Sequence, residues 1–389
     1  MKNVLMVLES DFPPDIRVEN EIEYLHKNGF SVTVACYTRT NRQRYENLKH
    51  CKVVRKRIHP LIYKSSVGAL KFNFYFRFWE SFLNKVLSAE KFDLIHIHDL
   101  PLARIGVKMK SKFHLPLIVD LHENWPSLLE EAPYTKSLLG RFLSSNKQWR
   151  LYEKTELKKA DAIITVVDEM RSRIIHLGID SMKVSVVSNV LNISTFPNIE
   201  VDTDDGIKLF YGGGLNYHRG VQIVIEGVAI LKKKLPNLKL YIAGYGSYMP
   251  ELQKLVVDLK INEMVQFLGK MNQTDLLVQM KKCNVALIPH LCSEQTNNSS
   301  PNKLFQYMYA EKPILSSNCN SLRRVIESND IGVVYQHDSP IDFSQKLLDL
   351  ISNNIDNKYG KNGKKAVENK YCWDVQQYVL VSIYKDALS

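Results

Sequence analysis

The chain has 389 residues, 45% hydrophobic and 24% charged, with a formal net charge of +11. That balance belongs to a folded protein too long for one ordinary core, so two domains are expected and pervasive disorder is excluded. No uninterrupted apolar run reaches the roughly 18 residues of a membrane-spanning helix, and the positive excess favours anionic partners such as phosphates or acidic headgroups.

The opening MKNVLMVLESDFPP sets a lysine before an apolar run, as a signal peptide would. The run is short, lacks a small-residue cleavage site and ends in acids, so a first β-strand is expected instead. Further aliphatic or β-branched runs follow at 31–37, 93–98, 115–122, 161–167 and 183–189. Stretches of helical spacing separate them, such as 17–29, which closes on Gly29. Near-continuous apolar strands alternating with helices predict a parallel sheet covered on both faces. Basic runs at 49–57 and 232–234 read as solvated lysines and arginines. Segment 68–92 carries an apolar stripe through Phe72, Tyr75, Phe76, Trp79, Phe82, Leu83 and Val86 among basic residues. Two readings stand for it: a helix packed on the sheet, or one lying in an anionic membrane interface. Six cysteines without C-x-x-C spacing read as reduced thiols.

The turn-rich span 191–206 predicts a linker between an amino-terminal domain, 1–190, and a second domain, 207–371. In the second half the rhythm restarts at 207–214, 237–246, 264–269, 284–290, 312–317 and 331–335, and 373–388 reads as one amphipathic helix. Because parallel sheets bind ligands beyond their carboxyl ends, the residues after each strand come first. GGGLNYHRG follows the strand at 207–211 and places Gly213, Gly214 and Arg219 there; AGYG adds Gly244 and Gly246. In NNSSPNKLFQYMYAEKP, residues 297–313, Ser299 or Ser300 is expected to cap a helix and Pro301 to occupy its first turn. Asn302 and a mobile Lys303 would then project beside free helix N–H groups. Two cationic helix starts in one domain predict a diphosphate ligand. In the first half, His122 with Glu123 and Asn124, together with Asp99 and Arg17, are strand-end candidates, and His290 is a weaker one in the second. The chain lacks the nicotinamide fingerprint, a Walker lysine loop, a G-x-S-x-G elbow and an H-E-x-x-H zinc motif.

In this order FPPDIRVENE, HDLP, VDLHENWP, ADAIITVVDEM, SNV, GGGLNYHRG, AGYG and PNKLFQYM…KP resemble a retaining, family 4 glycosyltransferase of GT-B fold over nearly the whole chain. The resemblance implies an α/β architecture of two Rossmann-like domains facing across a cleft, with segment 372–389 returning to the first domain. It implies transfer of a sugar from a nucleoside-diphosphate sugar to a lipid-linked or growing cell-surface glycan, with no cofactor, metal or nucleic acid, in the cytoplasm or on the inner face of its membrane. Arg219 would hold the diphosphate beside Gly213 and Gly214, with Lys303 as a second cation. Gly244 and Gly269 would border the nucleotide, His122 would stand near the donor sugar, and Arg17, Asp99 and Glu123 would face the acceptor. Ser300 and Asn302 would belong to the donor loop. Gln306 and Asn298 stand where the family often has two glutamates, gripping ribose and sugar; both are amides here. The other readings of such a chain are a non-catalytic partner subunit, or an epimerase or phosphorylase of the same fold.

Overall fold

The aliphatic runs of the sequence become the strands of two parallel sheets in the protein, whose structure is a computed structural model. It describes residues 1–131, 135, 137–197, 199, 201 and 206–389. The chain divides into two compact units, Met1–Ser188 with Gln376–Ser389, and Asn189–Val375. Of the expected linker, residues 198, 200 and 202–205 lie outside the described residues.

The first unit holds β1 (Lys2–Leu8), β2 (Phe30–Thr38), β3 (Tyr45–Asn47), β4 (Cys51–Arg57), β5 (Leu94–His98), β6 (Leu117–Leu121), β7 (Ala162–Thr165) and β8 (Val184–Val186). Their order is β3-β4-β2-β1-β5-β6-β7-β8, parallel throughout except for β3, which pairs antiparallel with β4. The chain starts in the middle, builds outward through β2 and β4, then crosses to β5, so the order reverses between β1 and β5. Such a switch point opens a crevice at the carboxyl ends of the strands. The second unit repeats the plan with β9 (Lys208–Gly212), β10 (Lys239–Ala243), β11 (Val265–Gly269), β12 (Val285–Ile288), β13 (Ile314–Ser317) and β14 (Gly332–Tyr335). Its order, β11-β10-β9-β12-β13-β14, reverses between β9 and β12.

Helix Ile16–Lys27 shows how the sequence sets one of these elements. Asp15 caps it by accepting from Val18 N, and Glu19 Oε1 accepts from Asp15 N in return. The chain leaves the helix through Asn28 and a left-handed Gly29. The terminal helix, Trp373–Leu388, starts in the second unit, and from Gln376 onward belongs to the first. There Gln376 accepts from Ser188 N at 3.0 Å, and Tyr384 packs edge-on against Phe30.

One expectation from sequence needs correction, and one open reading is decided. The basic run at 49–57 is strand β4, with Val53 and Arg55 turned inward and Lys52 and Arg57 outward. Of the two readings of the aromatic stripe in 68–92, the packed helix is the one the structure bears out for most of it. Helix Phe74–Ala89 buries Tyr75, Phe76, Trp79, Phe82, Leu83 and Val86, with Trp79 fully inaccessible, whereas Phe72 and Phe74 remain exposed. Burial of so large an aromatic predicts that Trp79→Ala destabilises the first unit by about 3–5 kcal/mol in chemical denaturation. A loss below about 1 kcal/mol would contradict the packing. For the same reason Phe76→Glu with Trp79→Glu is expected to unfold this unit before any membrane contact can be measured. No described helix is long and apolar enough to cross a membrane.

Candidate functional site

In the second unit, the glycine turns after β9, β10 and β11 are joined edge to edge by their backbones. Gly213 N donates to Ala243 O at 2.9 Å, Gly244 N to Gly269 O at 2.7 Å, and Leu215 N to Tyr245 O at 3.0 Å. Side chains are excluded where this row meets its neighbours. Gly213 has φ 147°, and a Cβ there would come 2.6 Å from Lys303 Nζ; at Gly220, φ 71°, it would come 1.7 Å from Pro289 O. Gly220 in turn lets Arg219 end one turn, Tyr217–Arg219, and helix Val221–Leu231 begin.

Lys303 opens helix Lys303–Tyr309, which buries Leu304, Phe305, Tyr307 and Met308. Tyr307 ties this helix to the sheet by accepting from Gly212 N at 3.0 Å. Lys303 and Gln306, three residues apart, share the remaining half-buried face. The cap differs from expectation: Asn302 occupies the cap position without a side-chain bond, and Pro301 lies before the helix. Neither Ser299 nor Ser300 caps it. Ser299 O instead accepts from Ser321 Oγ, and the Ser300 hydroxyl is buried without a hydrogen-bond partner. Nor is Lys303 a mobile surface cation. Its ammonium sits 4.1 Å from the centre of the Tyr211 ring, buried and without a hydrogen-bond partner. Burial, reinforced by nearby Arg219, holds its pKa well below the usual lysine range.

Arg219 reaches the same place. Its guanidinium donates to His290 Nε2 at 3.2 Å, which requires a neutral imidazole. Burial, with Lys303 and Arg219 beside it, pushes the His290 pKa well below the ordinary value, so the ring is neutral. Two cations and a neutral histidine therefore meet at the reversal between β9 and β12. Among the described residues, no carboxylate is among the groups acting on Lys303 or His290. Uncompensated buried positive charge is an anion site in waiting. Asn298 lies close by in sequence, but its amide donates to Glu294 O at 2.7 Å. Gly214 O accepts from the Tyr211 hydroxyl at 2.7 Å.

The first unit builds a buried polar network at the carboxyl ends of β5 and β6. Arg17 and Glu21, one helical turn apart, make an ion pair at 3.1 Å. Arg17 also donates twice to Asp120 Oδ2, at 3.2 and 2.9 Å, and once to Val187 O. It is 5% exposed, and its guanidinium organises the strand ends. His122 Nε2 lies 3.2 Å from Asp120 Oδ2 and 3.2 Å from His98 Nδ1, while His96 Nδ1 meets the Tyr384 hydroxyl at 2.5 Å. Asp99, held at φ 68°, accepts from His122 N at 3.4 Å. Glu123 is exposed beside buried Asn124. Sequence reading missed Asp120, Glu21, His96 and His98, because single polar residues inside an apolar strand or helix look like ordinary members of that element.

Donor atoms of Glu21, His96, His98 and Asp120 lie within 4.8 Å of one another, a set of metal-ligand type. Arg17 already brings positive charge to both carboxylates of that set. Burial pushes the Glu21 carboxyl up to about 8 despite Arg17, and burial holds His96 down at about 3. His122 goes the other way: burial alone would strip its proton, but Asp99 and Asp120 outweigh it and hold the pKa at about 9. A histidine raised from 6.5 contributes stability that is complete below 6.5 and lost as pH rises through about 9. Wild-type melting temperature is thus expected to fall across that window, and the fall to shrink in His122→Gln. Equal falls in both proteins would assign the loss to other groups.

Comparison with known proteins follows the same division. Residues 16–195 match the family described as Glycosyltransferase Family 4, and residues 193–366 match Glycosyl transferases group 1. An uncharacterized glycosyltransferase of Methanocaldococcus jannaschii is 24% identical over 318 residues, covering 78% of this chain and 77% of its own length. The phosphatidyl-myo-inositol mannosyltransferase of Mycolicibacterium smegmatis is 20% identical over 84% of this chain and 78% of its own. Among solved structures, sucrose-phosphate synthase from Thermosynechococcus elongatus superposes with TM-score 0.79 at 15% identity, covering 99% of this chain and 98% of that one. Anabaena HepE, solved with UDP and glucose, gives TM-score 0.69 at 12% identity over 99% and 100% of the two chains. With two family matches that together run from residue 16 to residue 366 and fold neighbours over its full length, the chain belongs to the family 4, group 1 glycosyltransferases of GT-B fold.

Proposed function

We propose that this glycosyltransferase moves a hexose-type sugar from a nucleoside-diphosphate sugar to a hydroxyl of a lipid-linked or growing cell-surface glycan, with retention at the anomeric carbon and without a metal. The observation that carries the donor half is the meeting of half-buried Arg219 with the buried Lys303 ammonium, without a carboxylate acting on Lys303, beside the glycine row. Negative charge builds on the departing diphosphate in the transition state, and two preorganised cations in a water-poor site stabilise it where other enzymes place a divalent ion. A dianionic ligand also offsets the burial that lowers the Lys303 pKa. HepE with UDP and glucose supports a uridine-type donor, and the names of two further fold neighbours, WaaG and WaaB, support a surface-glycan acceptor. Gly269, with open space where a side chain would stand, leaves room for the base. Asn298 and Gln306 would meet sugar and ribose, and His122, protonated, would stand by the sugar. Any membrane contact of 68–92 would fall to the exposed Phe72 and Phe74 on the cytoplasmic side.

A thermal-shift screen over nucleotide sugars tests the donor assignment, because a ligand preferring the native state raises the melting point. Wild type should respond to at least one, and Arg219→Ala to none; equal responses would refute the site. Gln306→Glu gives a finer test. A charged acceptor for a ribose hydroxyl is worth about 1 kcal/mol more than an amide, so donor affinity should rise about five-fold in calorimetry. Unchanged or weaker affinity would remove Gln306 from the ribose.

A further inference from the structure

A second cationic site lies in the first unit, away from Arg17 and His122. A pocket of about 470 Å³ opens beside the carboxyl ends of β2 and β4, within the roughly 300–1,000 Å³ usual for small-molecule sites. Arg42, Arg44, Arg55, Lys56, Arg57 and Lys85 line it, with Thr38, Thr40 and Phe82, and no acidic residue does. The nearest carboxylates are already engaged. Asp11 meets Arg42 at 3.4 Å and Thr38 Oγ1 at 3.0 Å, and Glu46 Oε2 meets Arg55 at 2.5 Å. Arg55 is buried and structural, since it also donates to Phe12 O and Gln43 O. Arg44, Arg57 and Lys85 are exposed and unneutralised by these acids. Lys56 stands 4.4 Å from the centre of the Phe78 ring and donates to Phe78 O, which fixes its ammonium in place. Burial, then Lys85 and Arg44, push the Lys56 pKa down, as expected where like charges converge.

Three properties coincide here: a concave shape, several cations without counter-ions, and a position beside the carboxyl ends of two paired parallel strands. Planar guanidinium groups beside an ammonium suit a phosphate ester, which takes bidentate bonds from arginine and a point charge from lysine. We propose that this pocket binds a phosphate or diphosphate ester, the anionic group of the acceptor. That the ester belongs to the acceptor rests on the transfer reading above; that the pocket takes a phosphorylated ligand does not.

The experiment uses the full-length protein and three probes: farnesyl diphosphate below its micellar concentration, phosphatidylglycerol vesicles and UDP. Melting temperature and calorimetric affinity are read for wild type, for Arg44→Glu with Arg57→Glu, and for Arg219→Ala with Lys303→Ala. Both pocket residues are exposed, so their reversal should leave the unliganded melting curve in place. Farnesyl diphosphate is expected to stabilise wild type and the Arg219, Lys303 variant alike. Its affinity should fall roughly tenfold or more in the Arg44, Arg57 variant, as for the loss of charge-assisted contacts, while UDP affinity stays unchanged there. Pocket-dependent binding of farnesyl diphosphate without UDP binding to wild type would uphold the pocket and refute the donor reading. The proposal is overturned if farnesyl diphosphate binding is lost only with Arg219 and Lys303. It is likewise overturned if vesicles alone respond to Arg44 and Arg57, which would make these residues a membrane patch.

Discussion

Lys303→Met is expected to abolish donor binding while raising the melting temperature of the unliganded protein. The two effects have one cause. The Lys303 ammonium is buried against the Tyr211 ring with no hydrogen-bond partner, and Arg219 repels it. Without an anion, such a group destabilises the fold by an amount on the order of 1–3 kcal/mol or more. Methionine keeps the length of the side chain, removes the charge and packs on the aromatic face. With a diphosphate present the sign reverses, because the ammonium then makes a charge-assisted bond in a dry site. Removing one such donor lowers turnover by about 10²–10³-fold, and Arg219→Ala should fall in the same range. The double variant should lose less than the product of the two, since both act on one anion. Melting curves with and without donor, alongside kcat and KM, check this. A Lys303→Met protein that melts lower than wild type, or that still binds donor, would show that Lys303 is an ordinary packing residue. Residues that lower stability for the sake of a ligand are a usual signature of a binding site.

Why the donor side was readable from sequence, and the rest less so, follows from chain distance. Gly213, Arg219, Lys303 and Gln306 stand in compact motifs at strand ends, and a glycine turn next to a cation is informative in itself. Twelve of the strand runs were legible because parallel strands buried on both faces are almost continuously apolar. Strand β4 was not, since Lys52 and Arg57 point to solvent and one of its two inward residues is itself an arginine, Arg55, which disguises the alternation. Helix Phe74–Ala89 showed its stripe, but periodicity alone cannot say whether protein or lipid covers it; Trp79 under the sheet decides for protein. The capping error has a local cause: Ser299 and Ser300 have the right chemistry, yet the helix starts three residues later and their groups turn elsewhere. Long-range partners were wholly hidden. Cys292 and Cys319 are far apart in sequence but their sulfurs are 3.3 Å apart, and Arg17 meets Asp120 across 103 residues. All six thiols are free. Nothing in a strand reading VDLH tells that its acid anchors a buried arginine and a protonated histidine.

Losing that anchor is expected to destabilise the first unit as much as losing Trp79. Asp120→Ala strips the Arg17 guanidinium and the His122 ring of a shared carboxylate oxygen, leaving Arg17 with Glu21 and His122 with Asp99 and the buried positive charge under-compensated. Breaking a buried pair from one side destabilises by about 3–5 kcal/mol. In a unit of this size that lowers melting by roughly 2–4 °C per kcal/mol. Asp120→Asn keeps the shape and one acceptor but not the charge, so it should fall between wild type and alanine. Its His122 loses the support of one of two carboxylates, and its proton should then leave below the wild-type pKa of about 9. The stability loss expected in wild type between pH 6.5 and 9 should accordingly shift downward in the asparagine variant. A compensating change separates charge from packing: Arg17→Met in the Asp120→Leu background removes both partners together. Apolar replacement of a whole buried pair is often neutral or stabilising, so the double variant should be more stable than Asp120→Leu alone, even though it carries one more substitution. Glu21 limits the recovery, because it loses its contact with Arg17; at neutral pH its raised pKa keeps it largely protonated, and the penalty small. A double variant less stable than either single one would mean that Arg17 holds Val187 and Glu21 in place more strongly than it needs Asp120.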